Sequence, residues 1–471
     1  DGSRSALYDY NPVLFPLYQN DENGTLTTDL HSELLDRLTG RYHPYFSDAD
    51  ADRVKYLALS RITNIHLCGP HSPPFMANDK ETNTYVGISL FDKNLQPIQG
   101  ADTAINLSKW ILEKNTLNFM DFSIHSARTS SAKQSILQPK DQLFLTTTAS
   151  QAYLFPFDIA RVPPADSLDD NTTTPPNPQK STKVKGTPVP MNNDALSYGT
   201  GLQVTFMDDL RGRVHKGSGL FHLGPGLEAG KNFHFFESSD GTPYLELWPR
   251  GPHRTRPINF ATGDEYRSYQ QDVDYFPGSI RGGRTSRKTR LNVTHPRDEL
   301  RSGEKGVRDS FRSPNFVPQE RELYRGTACC VDMTIHGNQQ VKVGILHGVS
   351  QNRVYLSQFY AFLPTPPFEL VAATGWFCLG HMREEDIGFA SQWMSQRIPA
   401  NRTAPTSVNG RSGTINCAHI SFISGITEMI GNGDNVIISY GVNDCYSRSI
   451  IVLKKKIEML LLGQTTVERT E

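Results

Sequence analysis

Hydrophobic and polar residues alternate in short runs along most of the chain, and the runs are bounded by Gly, Pro, Asn and Asp. This period-2 pattern predicts strands, not amphipathic helices. Strands are expected over Val54–Arg61 and Tyr85–Phe91, the latter ending in the turn Asp92-Lys93-Asn94. Asp141–Thr147 pairs with Ala152–Ile159, followed by Gly201–Met207 and Asn232–Glu237. The turn Ser239-Asp240-Gly241 leads into Tyr244–Trp248, a hairpin signal. Thr327–Ile335 and Gln340–His347 flank the turn His336-Gly337-Asn338, and Val354–Leu363 and Phe368–Thr374 complete a group of four. Ile415–Ile423, Val436–Tyr440 and Ser447–Lys454 close the series, with a further turn at Gly431-Asn432-Gly433-Asp434. Helical periodicity is confined to Asp29–Leu38.

Repeated groups of about four strands predict an all-β fold, most simply one five-bladed β-propeller over residues 1–471, an arrangement that hides sheet edges. Jelly rolls and double sandwiches fit the strand pattern as well. Two segments interrupt the rhythm. Residues 162–190 hold seven prolines among Thr, Asn and Lys and read as a solvated loop. Residues 263–322 form a basic polar insertion, with ten Lys or Arg from Arg281 to Arg312 against four acids. That insertion is expected to be an exposed loop, or else an anion clamp. Strand-like sequence resumes in the same style after each, so neither reads as an inter-domain linker.

Composition narrows the function classes. The 471 residues are 37% hydrophobic with a formal net charge of −1, enough to build a large core and too balanced for a nucleic-acid binder. No stretch approaches the ~20 apolar residues of a spanning helix. The longest apolar run, Ile450 to Leu462, is interrupted by Lys454, Lys455 and Lys456. The chain begins at Asp1, so trimming is expected to have removed any signal peptide or anchor. Asn-X-Ser/Thr triplets at Asn23, Asn106, Asn171, Asn292 and Asn401 are candidate glycosylation sites. The six cysteines, Cys68, Cys329, Cys330, Cys378, Cys417 and Cys445, fit up to three bridges or buried free thiols. Together these features predict the secretory pathway, in the Golgi lumen or outside the cell. No Cys/His spacing suggests a metal site, and no cofactor is expected.

Candidate chemistry lies where polar residues close apolar strands. Asp444 ends Val436-Ile-Ile-Ser-Tyr-Gly-Val-Asn-Asp444, in which Tyr440, Val442 and Asp444 share a strand face and Gly441 leaves room for a ligand. His347 closes Val341–His347, Lys231-Asn232 precedes an aromatic strand, Pro252-His253 follows Trp248, and Asp121 is an acid at a strand edge. Aromatic platforms ringed by Asp, Asn, His and Arg suit sugars, and glycosyl transfer needs a carboxyl group beside the anomeric centre.

Several of these stretches resemble the five-bladed propellers that act on mannosides, a group of glycoside phosphorylases and hydrolases with mannosyltransferase relatives. The similar elements are Tyr10-Asn11-Pro12, Ser60-Arg61, Gly230-Lys231-Asn232-Phe233 with Phe236, and Pro252-His253. They continue with Arg325-Gly326-Thr327, Gly344–Gly348 around His347, Pro367–Leu370, and Ser439–Asp444, in the same order along the chain. The family's acid lies in an Asp-Pro-Arg-like element, whose nearest counterpart here is Asp121-Phe122-Ser123, without the Arg.

The resemblance implies a glycosyltransferase or glycoside phosphorylase acting on mannose-type sugars. Asp121 or Asp444 would be the acid/base. Arg61, Lys231 and Arg325 would hold phosphate or a nucleotide-sugar diphosphate, because Arg offers a planar fork to phosphate oxygens. Asn11, Asn232, His253, His347 and Tyr440 would orient the sugar. The alternatives are a noncatalytic carbohydrate-binding or extracellular structural propeller, and a plain glycoside hydrolase.

Overall fold

The computed structural model describes residues 8–20, 26–27, 30, 32–63, 84–106, 121–126, 143–148, 152–163, 188–190, 201–207, 234–249, 253–257, 324–349, 355–374, 377, 379, 405–408, 411–414, 421–442 and 446–462. These residues build an all-β molecule. Strand β1 (Tyr8–Pro16) is followed by a short ribbon of β2 (Gln19–Asn20) and β3 (Leu26–Thr27), then helices α1 (Ser32–Thr39) and α2 (Asp48–Arg53). The first sheet has the order β1-β4-β5-β6, with β4 Tyr56–Thr63, β5 Thr84–Phe91 and β6 Pro97–Asn106. The second, in the order β7-β8-β9-β11-β10, uses β7 Asp121–Ser126, β8 Leu143–Thr148, β9 Ala152–Arg161, β10 Pro188–Pro190 and β11 Leu202–Met207.

The third sheet is β12 (His234–Glu237), β13 (Pro243–Trp248) and β14 (Arg254–Pro257). The fourth is β15 (Tyr324–Ile335), β16 (Gln339–Val349), β17 (Tyr355–Phe362) and β18 (Leu370–Ala373). A hairpin of β19 (Pro405–Val408) and β20 (Arg411–Thr414) precedes the fifth sheet, β21 (Ser421–Glu428), β22 (Asn435–Val442) and β23 (Tyr446–Leu453), which runs straight into helix α3 (Lys454–Leu461). Every pairing is antiparallel.

Alternation of side chains dictates how the sheets stack. Leu57, Leu59, Val86, Ile88, Leu145, Phe157 and Ile159 are buried together beneath the first two sheets, and α1 adds Leu34, Leu35 and Leu38. A second core unites the fourth and fifth sheets through Val343, Ile345, Phe359, Ile423, Ile438 and Tyr440, with Ile457 and Leu461 of α3. A third, aromatic core fills the joint between the third and fourth sheets, with Phe236, Tyr244, Tyr360, Phe362 and Phe368. The neighbours Cys329 and Cys330 lie beside that core with their sulfurs close together.

The first sheet also meets the fifth. Strand β1 packs on β21, β22 and β23, as well as on β7 of the second sheet. Tyr56, Ile430 and Ile437 are buried together at this junction. The Ile430 N–H donates to the Tyr56 hydroxyl at 2.8 Å, and Asn20 brackets the same turn, donating to the Met429 carbonyl and accepting from the Gly431 N–H. The Ser424 hydroxyl donates to the Pro12 carbonyl.

Three local expectations are revised. Lys454, Lys455 and Lys456, read as breaking an apolar run, instead begin α3: Lys454 pairs with Glu428, Lys455 with Glu458, and the buried side of the helix is Ile457 and Leu461. The expected strand Ile415–Ile423 is described only from Ser421, and there it runs on to Glu428: Gly425, at a bulge, lets the Val13 backbone approach and the strand continues past the expected stop. Pro188–Pro190, inside the expected proline-rich loop, forms the edge strand β10. At an edge, proline's missing N–H is tolerated. The rest of the 162–190 segment beyond Pro163, and all of 263–322, lie outside the described residues. Among the described residues no helix is long and apolar enough to cross a membrane.

Candidate functional site

Asn11 sits in a bulge of β1, where pairing with β4 shifts register between Tyr10 and Val13. Its φ of 55° is left-handed, a region that Asn reaches more readily than most residues. The side chain is thereby carried over Gly441 of β22, and a Cβ at residue 441 would collide with Asn11 Oδ1. That oxygen is buried and has no hydrogen-bond partner among the described residues. A buried acceptor without a donor costs on the order of 1–3 kcal/mol. It is therefore a candidate ligand contact: a hydroxyl or an N–H placed here would satisfy it.

From Gly441 a chain of contacts leads to the fourth sheet. Phe422 lies opposite Gly441 in the β21–β22 register, and its ring meets His347 at 5.4 Å. His347 is buried and stacks on Tyr355 at 5.5 Å between near-parallel rings. It stands between Arg325 of β15 and Ser357 of β17 in the ladder, and the fully buried Ser357 Oγ has no hydrogen-bond partner among the described residues. On the other side, Tyr10, next to Asn11, is paired with Arg61 of β4. Residues from β1, β4, β16, β21 and β22 are thus linked by contact or register at one place.

Other expected site residues go elsewhere. Tyr440 is 7% exposed and packs in the core between the fourth and fifth sheets, on the opposite strand face from Gly441. Burial pushes its phenol pKa up, with Arg448 opposing. His253 is 2% exposed and engaged at both ring nitrogens: Nδ1 to the Phe368 carbonyl and Nε2 to Glu246 Oε1, each at 2.9 Å. A carbonyl only accepts, so Nδ1 carries a proton. With both nitrogens committed inside the protein, His253 has none for a sugar.

Asp121 opens β7 opposite Thr148, and Arg325 faces His347 across the β15–β16 ladder. For these two only the backbone is described. Asn106, the last residue of β6, lies opposite Tyr85 and is likewise described by its backbone alone. Lys231, Asn232 and Asp444 fall outside the described residues, as do Asn23, Asn171, Asn292 and Asn401. Cys68, Cys378, Cys417 and Cys445 lie outside them too.

The sequence reading passed over a buried polar cluster at the joint of the third and fourth sheets. Glu246 is 1% exposed and takes His253 on one oxygen and the Tyr360 hydroxyl on the other, at 2.6 Å. Gly344 has no Cβ where the Tyr360 phenol lies. Burial, and then the Glu246 charge, hold the Tyr360 pKa well above the usual phenol value. His234 completes the group, its pKa pushed down to about 4 by burial against smaller opposing effects of Glu246 and the Gly326 backbone. The signal in the sequence was a lone acid, Glu246, two residues after Tyr244 in an otherwise apolar strand.

Among the described residues no group of three or more His, Cys, Asp or Glu is placed to hold a metal ion. Comparison of the chain with protein-family models and with curated proteins finds no match.

Proposed function

We propose that the chain is a five-bladed β-propeller with long loop insertions, acting in the Golgi lumen or outside the cell as a glycosyltransferase or glycoside phosphorylase on mannose-type sugars. The blade reading is supported by five antiparallel sheets of three to five strands. It is also supported by the packing of their leading strands: β1 on β7 and β21, and β15 on β12 and β21.

The observation that carries the functional reading is the buried Oδ1 of Asn11 over Gly441, without a partner among the described residues and one contact away from the Phe422–His347 ring pair. A sugar hydroxyl is a donor suited to that oxygen, and aromatic edges suit the apolar faces of a pyranose. In this reading Asp121 or Asp444 supplies the carboxyl group at the anomeric centre, while Arg61, Lys231 and Arg325 hold a phosphate-bearing donor. Asn232 assists in orienting the sugar.

The test is a thermal-shift screen of the chain with inorganic phosphate, GDP-mannose and simple mannosides, followed by turnover assays. At least one ligand raises the melting temperature, and Asp121→Asn or Asp444→Asn lowers turnover by roughly 100-fold or more, the usual scale of acid/base catalysis. No shift with any ligand, together with unchanged turnover in both variants, rejects the enzymatic reading.

The burial of His347 between two rings favours a second reading, a filled centre that binds carbohydrate without catalysis. A thermal shift with mannosides but no turnover selects it. Release of free sugar from mannosides without phosphate selects a hydrolase. Glycan mass at Asn23 or Asn401 is the expected sign of passage through the secretory pathway.

A further inference from the structure

The polar cluster at the joint of the third and fourth sheets has a chemistry of its own, independent of the sugar reading. His234 begins β12, and β12 and β13 pack on β15. The His234 ring bonds to the Gly326 backbone of β15, a contact that favours the protonated ring and therefore has the ring as donor. The other nitrogen, Nε2, has no hydrogen-bond partner among the described residues, and the residue is 6% exposed. Its lone pair is the one position in the ring where a further proton binds.

The titratable groups of the cluster around it are Glu246 on β13, His253 just ahead of β14 and Tyr360 on β17, and β13 also carries Tyr244. Strand β15 presents the Gly326 backbone, preceded by Tyr324 and Arg325. Glu246 is the acid of the cluster, and each of its oxygens is already taken, Oε1 by His253 and Oε2 by Tyr360. The surroundings are otherwise aromatic: Phe236 and Tyr244 stack at 5.7 Å, and Phe368 meets both edge-on. Such a site disfavours an added charge.

We propose that this joint is an acid-sensitive latch: a proton taken up at His234 Nε2 puts a charge between β12 and β15 while both Glu246 oxygens are committed, and loosens the third sheet from the fourth. At neutral pH the latch is closed, with His234 neutral and bonded to Gly326. On acidification the opened form, in which the ring is hydrated, takes up the proton more readily than the closed form. With a closed-form pKa of about 4 against 6.5 when exposed, the opening equilibrium rises roughly 20-fold between pH 7 and pH 5.

Hydrogen exchange of the full chain, followed by mass spectrometry at pH 7 and pH 5 and corrected for intrinsic exchange, reads this directly. Peptides over 234–257 are expected to lose protection by roughly 20-fold at pH 5, while peptides over 56–63 and 84–91 keep theirs, and His234→Gln abolishes the difference. An equal loss in both regions, no loss in 234–257, or a full pH response in His234→Gln overturns the proposal. Should that variant fail to fold, the His234 ring resonances of the unaltered protein decide. A ring neutral down to about pH 4 at neutral-form sheet contacts supports the latch, and one titrating near 6.5 overturns it.

Discussion

At the scale of single residues, the strongest effects come from polar atoms whose partners are fixed. Tyr360 donates to Glu246 in a site where both side chains are buried, so Tyr360→Phe strips a donor from a buried carboxylate. A loss of about 1–3 kcal/mol is expected in denaturant unfolding. Gly344→Ala is expected to act on the same bond indirectly, since its Cβ falls 2.5 Å from the Tyr360 hydroxyl and displaces the ring.

His234 adds a pH dependence. Its pKa is lower folded than unfolded, so the unfolded chain binds the extra proton first. Stability is therefore full above 6.5 and declines as pH falls toward 4, by about 3 kcal/mol in all. Thermal unfolding between pH 7 and pH 4 measures this, and a flat profile contradicts the neutral buried ring. None of these partnerships is visible in the sequence, because Glu246 and Tyr360 are 114 residues apart.

At the scale of elements, the strands were largely legible. Their alternation comes from the strand backbone itself, and the expected Tyr85–Phe91 and Val436–Tyr440 fall inside β5 and β22. The failures have local causes. Helix α3 was hidden because three lysines interrupt the apolar run, although lysines facing solvent are ordinary on an amphipathic helix. What anchors α3 is Ile457, fully buried against the fourth and fifth sheets. Ile457→Ala is expected to cost about 2–5 kcal/mol, read from the denaturation midpoint. Strand β1 was hidden because Asn11 and Pro12 interrupt it, and that interruption is the bulge which aims Asn11 at Gly441.

At the scale of the whole molecule, the first and fifth sheets are joined by specific bonds. The Tyr56 hydroxyl, Asn20 and Ser424 tie β1, β2 and β4 to the turn after β21 and to β21 itself. Tyr56→Phe leaves the buried Ile430 N–H unpaired, and a loss of about 1–3 kcal/mol is expected. Exchange protection should fall first around residues 429–435 and in β1, and a fall confined to the third sheet contradicts this role.

The chain's own alternation and turn residues determined that this is an all-β protein, because strand periodicity and turn preference are properties of neighbouring residues. They also marked His347 as a polar residue closing an apolar strand, whereas Asn11 entered only through the family resemblance. Only the tertiary structure decided which interruptions meet. It sent Tyr440 and His253 into packed interiors, gathered Asn11, Gly441, Phe422 and His347, and built the His234–Glu246–His253–Tyr360 cluster. The physical reason is that burial and hydrogen-bond partnership across sheets depend on long-range packing, which a strand's sequence does not encode by itself.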